Sequence, residues 1–172
     1  MTGVQTCALP IFMTSICQLR PESRGFVRIK SSDPNAPPAI QPRYLSSRSD
    51  CETTVAGMKL LRTIMSQPAM RRYIAQELEP GEECRSDTDM LSFARLTGTT
   101  VYHPTSTCRM GSDSGAVVDE RLRVRGIDAL RIIDGSIMPA LVSGNTNAAI
   151  VMIAEKGADL ILQDAGAPLA LI

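Results

Sequence analysis

The stretch SGNTNAAIVMIAEKGADLI, residues 143–161, governs how the rest of the chain is read. Five small residues, Ser143 to Asn147, lead into a run from Ala148 to Leu162 whose only charged members are Glu155, Lys156 and Asp159. The spacing predicts a helix of about 16 residues starting near Asn147 and spanning ~24 Å. Asn145, Thr146 and Asn147 are all competent to cap it. A helix that is apolar on nearly every side belongs in an interior, with its polar start facing something polar. The unpaired N–H groups of that start carry partial positive charge and favour an anion.

Just upstream, Ala129-Leu130-Arg131-Ile132-Ile133 reads as a buried strand that stops at Asp134-Gly135-Ser136. From Thr97 to Gly115 the chain is rich in glycine and small polar residues. His103, the only histidine, sits there. A single histidine is more often a hydrogen-bonded structural residue than a catalyst. Here Pro104 restrains the backbone after the imidazole. The small side chains of Thr105, Ser106, Thr107 and Cys108 leave room beside it for a ligand.

The first half supplies packing elements. Ile16–Arg20 and Phe26–Lys30 read as two short strands split by a glycine-containing turn, which suggests antiparallel pairing. Ser31 to Pro42 carries four prolines and reads as irregular. Ser49 and Glu52 have the spacing of a capping box before an apolar series, Val55, Met58, Leu61, Ile64 and Met65, that ends at Pro68. A second helix starts at Pro68, presents Met70, Tyr73 and Ile74, and breaks at Glu79-Pro80-Gly81. A third opens near Ser86. The fold class is α+β, an antiparallel sheet flanked by helices, followed by a C-terminal strand and helix.

Bulk properties narrow the function. Eighteen basic residues balance eighteen acidic ones, leaving no electrostatic footprint for nucleic acid. The five cysteines (Cys7, Cys17, Cys51, Cys84 and Cys108) form no C-x-x-C pair and have one histidine to join them, so no metal site is expected. Reduced thiols in a cytoplasmic setting are the simpler reading. No apolar run approaches the ~20 residues of a membrane span. Residues 1–11, MTGVQTCALPI, resemble a translated sequencing adapter and are read as a non-native leader.

Four blocks in order carry a resemblance: PESRGFVRIKSSDPNAPPAIQPRYL (21–45), HPTSTCRMG (103–111), VVDERLRVRGIDALRIIDGSIMP (117–139) and the helix-bearing stretch 143–161. Together they resemble the C-terminal part of glucose-methanol-choline oxidoreductases, most nearly the choline-dehydrogenase-like bacterial members. The resemblance implies FAD as cofactor and an alcohol as substrate. It implies that His103 accepts or stabilises the alcohol proton and that Asn145 hydrogen-bonds the same oxygen. It further implies that Asp134 and Gly135 approach the FAD pyrophosphate and ribityl chain, and that Thr146 and Asn147 lie against the pyrimidine edge of the flavin. Ser106 stands where many relatives carry glycine. Imidazoles titrate near pH ~6.5, which suits proton removal at neutral pH.

The implied organisation is a substrate-binding part over 12–130, a strand and helix over 131–163 that return to the FAD-binding domain, and a tail over 164–172. The dinucleotide-binding fingerprint G-x-G-x-x-G is absent, since no two of the twelve glycines stand at i and i+2. The FAD-binding half is therefore expected in cis in a longer parent chain or on a separately encoded one. The competing reading is a catalytically silent fragment that cannot hold FAD alone.

Overall fold

A computed structural model describes residues 12–166. The adapter-like leader and the end of the tail lie outside them. The described residues form a small α+β structure with one two-stranded antiparallel sheet and four α-helices.

Strands β1 (Phe26–Arg28) and β2 (Ala39–Gln41) pair in the register Phe26↔Gln41, Val27↔Ile40 and Arg28↔Ala39. The partner of β1 is thus the proline-containing segment, and the strand expected over 16–20 does not form. Its neighbours have other bonds to make. The N–H groups of Glu22 and Ser23 donate to the Asp50 carboxylate at 2.9 and 2.8 Å. Ile16 lies against Gly57, so this segment is held to a helix rather than to a strand edge. Asp33 supports the reversal between β1 and β2, its carboxylate accepting the N–H of Asn35 at 2.9 Å.

Helix α1 (Arg48–Met65) starts one residue before the expected box, after Ser47. Ser49 and Glu52 do not cap it: Ser47 makes no capping bond, and Glu52 pairs with Arg48 at 2.6 Å one turn back. Pro68 opens α2 (Pro68–Arg71) at its first position, where a missing N–H costs nothing. That helix stops before Tyr73 and Ile74. Beyond it, Arg62 of α1 donates to the Glu77 carboxylate at 2.6 Å and to the carbonyls of Gly81 and Cys84 at 2.8 and 2.5 Å, fixing 77–84 as a loop. Ser86 and Asp89 form the capping box of α3 (Asp87–Thr97). A small core of Val55, Cys84 and Met90 joins α1 to α3, with Met58, Leu91 and Phe93 packed on it.

A second core gathers Val118, Leu122, Ile137, Met138, Ile153 and Leu160. Val118 is fully enclosed and bridges both Met110 and Val124. The strand expected over 129–133 is reduced to one bridge, Arg123↔Arg131. Gly126, at φ +79°, turns the chain so that 122–124 and 130–132 face each other through Val124 N–H to Leu130 O at 2.9 Å and Ile132 N–H to Leu122 O at 3.1 Å. Leu130 is left exposed. Helix α4 (Asn147–Asp164) begins where the sequence predicts and buries one stripe, Ile153, Gly157 and Leu160, while Val151, Met152 and Ile161 remain exposed. No helix among the described residues is long and apolar enough to cross a membrane.

Candidate active site

Three separate stretches become neighbours around a short 3-10 turn, Gly135–Ile137. The loop after His103 is pinned to it by Cys108 N–H to Ser136 O at 3.0 Å and Met110 N–H to Ile137 O at 2.8 Å. Gly135 is buried where a Cβ would stand 3.3 Å from Ile150 of α4 and 3.9 Å from Thr105. A side chain there would push Ile150 back by a few tenths of an ångström, so glycine favours this close approach of the turn and the helix. Arg20 reaches across the fold to donate to Ser143 Oγ at 2.9 Å, tethering the segment that enters α4.

The convergence brings His103 and Asn145 together. The imidazole Nε2 lies 3.2 Å from Asn145 Oδ1, although the two residues are 42 apart in sequence. The other ring nitrogen, Nδ1, lies 3.5 Å from Thr146 Oγ1. His103 is half-buried, Asn145 is exposed and Thr146 is 5% exposed. Of the three capping candidates, Thr146 occupies the cap position, yet its side chain makes no capping bond. Asn145 falls one residue earlier, which leaves its amide free to face the imidazole. The first turn of α4 carries no acidic residue and no side-chain cap, so its positive end is uncompensated.

Asp134 and Gly135 have local structural roles. Asp134 Oδ1 accepts the Ser136 N–H at 2.7 Å and so caps the 3-10 turn. Asn147 is exposed as the first residue of α4. Among the described residues no three His, Cys, Asp or Glu side chains are grouped to hold a metal.

Two features were not visible in the sequence. Tyr102 and Ser106, on either side of the imidazole, hold left-handed backbone at φ +61° and +71°. This conformation suits glycine, so Ser106 holds it at a cost that a residue without Cβ would not incur. Thr105 and Ser106 pair their hydroxyls at 3.1 Å beside it. His103, Thr105, Ser106 and Ser143 are among the residues that line an open groove of ≈ 2730 Å³, together with Phe26, Ile40 and Tyr44.

What this arrangement can do is bounded by its groups: an imidazole that lines the groove and an amide at hydrogen-bond distance from it, beside an uncapped helix start. Known proteins resemble this chain over part of their own, longer sequences. A family model described as GMC oxidoreductase matches residues 21–154, well over half of the sequence. The chain is 45% identical over 148 residues to an alcohol dehydrogenase [acceptor] of Pseudomonas putida, covering 86% of this chain and 27% of that protein. It is 45% identical over 150 residues to an oxygen-dependent choline dehydrogenase of Klebsiella pneumoniae, covering 87% of this chain and 27% of that protein. Among solved structures, an FAD-dependent oxidoreductase from Chaetomium thermophilum superposes with a TM-score of 0.81 at 29% identity, over 87% of this chain and 26% of the other. The chain thus spans about a quarter of the length of the proteins it matches, and it belongs to the GMC (glucose-methanol-choline) oxidoreductase family.

Proposed function

We propose that this chain is the C-terminal, substrate-facing part of an FAD-dependent enzyme that oxidises a primary alcohol, choline-like or other, to its aldehyde. The observation that carries the reading is the contact between His103 Nε2 and Asn145 Oδ1 at 3.2 Å, beside the start of α4. The side chains fit a flavin with an alcohol in front of it. An uncapped helix start with no acid in its first turn accommodates negative charge, and nothing anionic on α4 competes for that place.

FAD, when bound, supplies the hydride acceptor at its N5 atom. His103 takes the hydroxyl proton at Nε2, without which the alcohol carbon is a poor hydride donor. Asn145 holds the same oxygen by hydrogen bonding as it gains negative charge. When FAD is bound, Thr146 and Asn147 at the start of α4 would hold its pyrimidine edge, and Asp134 and Gly135 would hold its pyrophosphate and ribityl chain. In this reading residues 12–130 form the substrate-binding part in a cytoplasmic enzyme, while 131–163 return to the FAD-binding domain.

The missing fingerprint favours a second reading for the isolated polypeptide. With no G-x-G-x-x-G turn and with Val151, Met152 and Ile161 exposed on α4, the chain alone is a silent fragment. Its FAD-binding partner is then supplied in cis or by a separate chain. Expression with added FAD separates the two: retained flavin absorbance supports the enzyme reading, and a colourless protein supports the silent fragment. With an FAD-binding half restored, His103→Ala should lower alcohol turnover roughly 10²–10⁴-fold with flavin still bound. Unchanged turnover would remove the general-base role.

A further inference from the structure

Both ring nitrogens of His103 face oxygen atoms of two successive residues, Asn145 Oδ1 at Nε2 and Thr146 Oγ1 at Nδ1. The surroundings of the two nitrogens differ. Asn145 is exposed, whereas Thr146 is 5% exposed and has no capping bond to occupy its hydroxyl. At 3.5 Å the Thr146 contact is at the long end of the hydrogen-bond range, as such pairs are before a substrate tightens the site.

We propose that Thr146 is a positioning residue that keeps a proton on Nδ1 of His103, so that Nε2 is the nitrogen exchanging protons with the groove. The proposal rests on the reading of His103 as the base. A neutral imidazole can act at Nε2 only if its proton sits on Nδ1, and an N–H there needs an acceptor. The Thr146 hydroxyl is that acceptor. Once the alcohol proton has arrived, the ring carries N–H at both nitrogens, and Oδ1, in the orientation it has at 3.2 Å, and Oγ1 accept them. When Nε2 is bare, the Asn145 amide turns over and offers its NH₂ instead, while the Thr146 contact stays as it is. The exposed side of the ring changes state and the buried side does not.

His103 is the only histidine in the chain, so ¹⁵N-histidine labelling of the tag-free protein gives the imidazole signals of this one residue. The neutral wild-type ring should show the nitrogen shifts of a protonated Nδ1 and a bare Nε2. Thr146→Val keeps the shape and removes the acceptor. It should shift the ratio toward the Nε2–H form at least about tenfold, a change that corresponds to ~1.4 kcal/mol. Thr146→Ser should restore it. A wild-type ring protonated at Nε2 overturns the proposal, and this result depends on no variant. A Thr146→Val protein with a lowered unfolding midpoint but an unchanged tautomer also overturns it, since that is what a purely structural threonine gives. The measurement needs no flavin. If His103→Ala in the restored enzyme keeps its turnover while the tautomer responds to Thr146, the functional reading fails and the positioning role stands.

Discussion

Gly157 marks the closest approach of α4 to the segment before the 3-10 turn, and replacing it with alanine tests that packing. A Cβ at 157 would stand 2.9 Å from Ile133 Cδ1 and 3.1 Å from its Cγ1, with Cγ2 nearer still. Carbon atoms pack at ~3.5–4.0 Å, so either the helix retreats by about 1 Å or Ile133 leaves its rotamer. Ile133 is β-branched and stiff at χ1, which makes the second route costly. Overpacking of this kind costs about 1–3 kcal/mol. Alanine is a better helix former than glycine by about 1 kcal/mol. Subtraction leaves a net loss of about 1 kcal/mol, which corresponds to a fall in Tm of about 2–4 °C for a chain of this size. In an Ile133→Ala background the obstacle is gone and the propensity gain remains, so the same substitution should stabilise by about 1 kcal/mol. The coupling between the two sites is therefore about 2 kcal/mol, measurable as a double-mutant cycle from urea unfolding. A Gly157→Ala protein more stable than wild type would refute the close-approach argument outright.

Other perturbations probe the supports of the site. Asp50→Ala should cost about 2 kcal/mol in urea unfolding, because its buried carboxylate accepts the N–H groups of both Glu22 and Ser23. Asp50→Asn, which keeps one acceptor, should lose about half as much. Asp164 accepts from Arg121, Arg123 and Arg131, and these bonds, that of Arg123 first, hold its carboxyl well below the usual carboxylate range. A depressed folded-state pKa contributes stability above the unfolded value near ~3.9 and loses it as pH falls further. Asp164→Asn should therefore lower the unfolding midpoint at pH 7 and flatten its decline below pH ~4; parallel curves for the two proteins would contradict this. At Ser106, Ser106→Gly should leave stability within about 0.5 kcal/mol, since ~1 kcal/mol of relieved left-handed strain offsets the lost hydroxyl pair. Ser106→Ala keeps the strain and loses the pair, so it should drop by about 1 kcal/mol.

Helix α4 was legible because its signal is local: a polar start, a long apolar run and no proline. The same holds for α3, whose Ser86 cap precedes Asp89 at the right spacing, and for Pro68 at the start of α2. Pairing was harder to read. The 16–20 segment has the composition of a strand, but composition does not show that the N–H groups just after it are taken by Asp50, 27 residues away in the case of Ser23. The box at Ser49 and Glu52 failed because the helix starts earlier, with Ser47 at its cap, so Ser49 lies inside the first turn and Glu52 pairs with Arg48 instead. The strand over 129–133 was lost to Gly126, whose left-handed turn folds that segment back on 122–124. In the site, His103 and Asn145 stood out as the lone imidazole and the amide before an apolar helix. Thr146 as a neighbour of Nδ1 did not, since only the helical phase at position 146 turns its hydroxyl toward the ring.

The placement of Asn145 depends on α4 as a whole. At the entering end, Arg20 holds Ser143, two residues before the amide. Midway, Gly157 seats the helix on Ile133. At the far end, three arginines hold Asp164. A helix of 18 residues is ~27 Å of hydrogen-bonded backbone that shifts more easily as a body than it stretches. Loss of any of these holds therefore reaches the amide as a displacement of the helix, and a 3.2 Å contact tolerates only a few tenths of an ångström before it ceases to be a hydrogen bond. The imidazole is less exposed to such shifts, because its loop is fastened to the 3-10 turn by backbone bonds at 108 and 110. Variants distant from the groove should then act on the Asn145 side of the pair, changing the Nε2 environment of His103 in the labelled spectrum before that of the loop backbone.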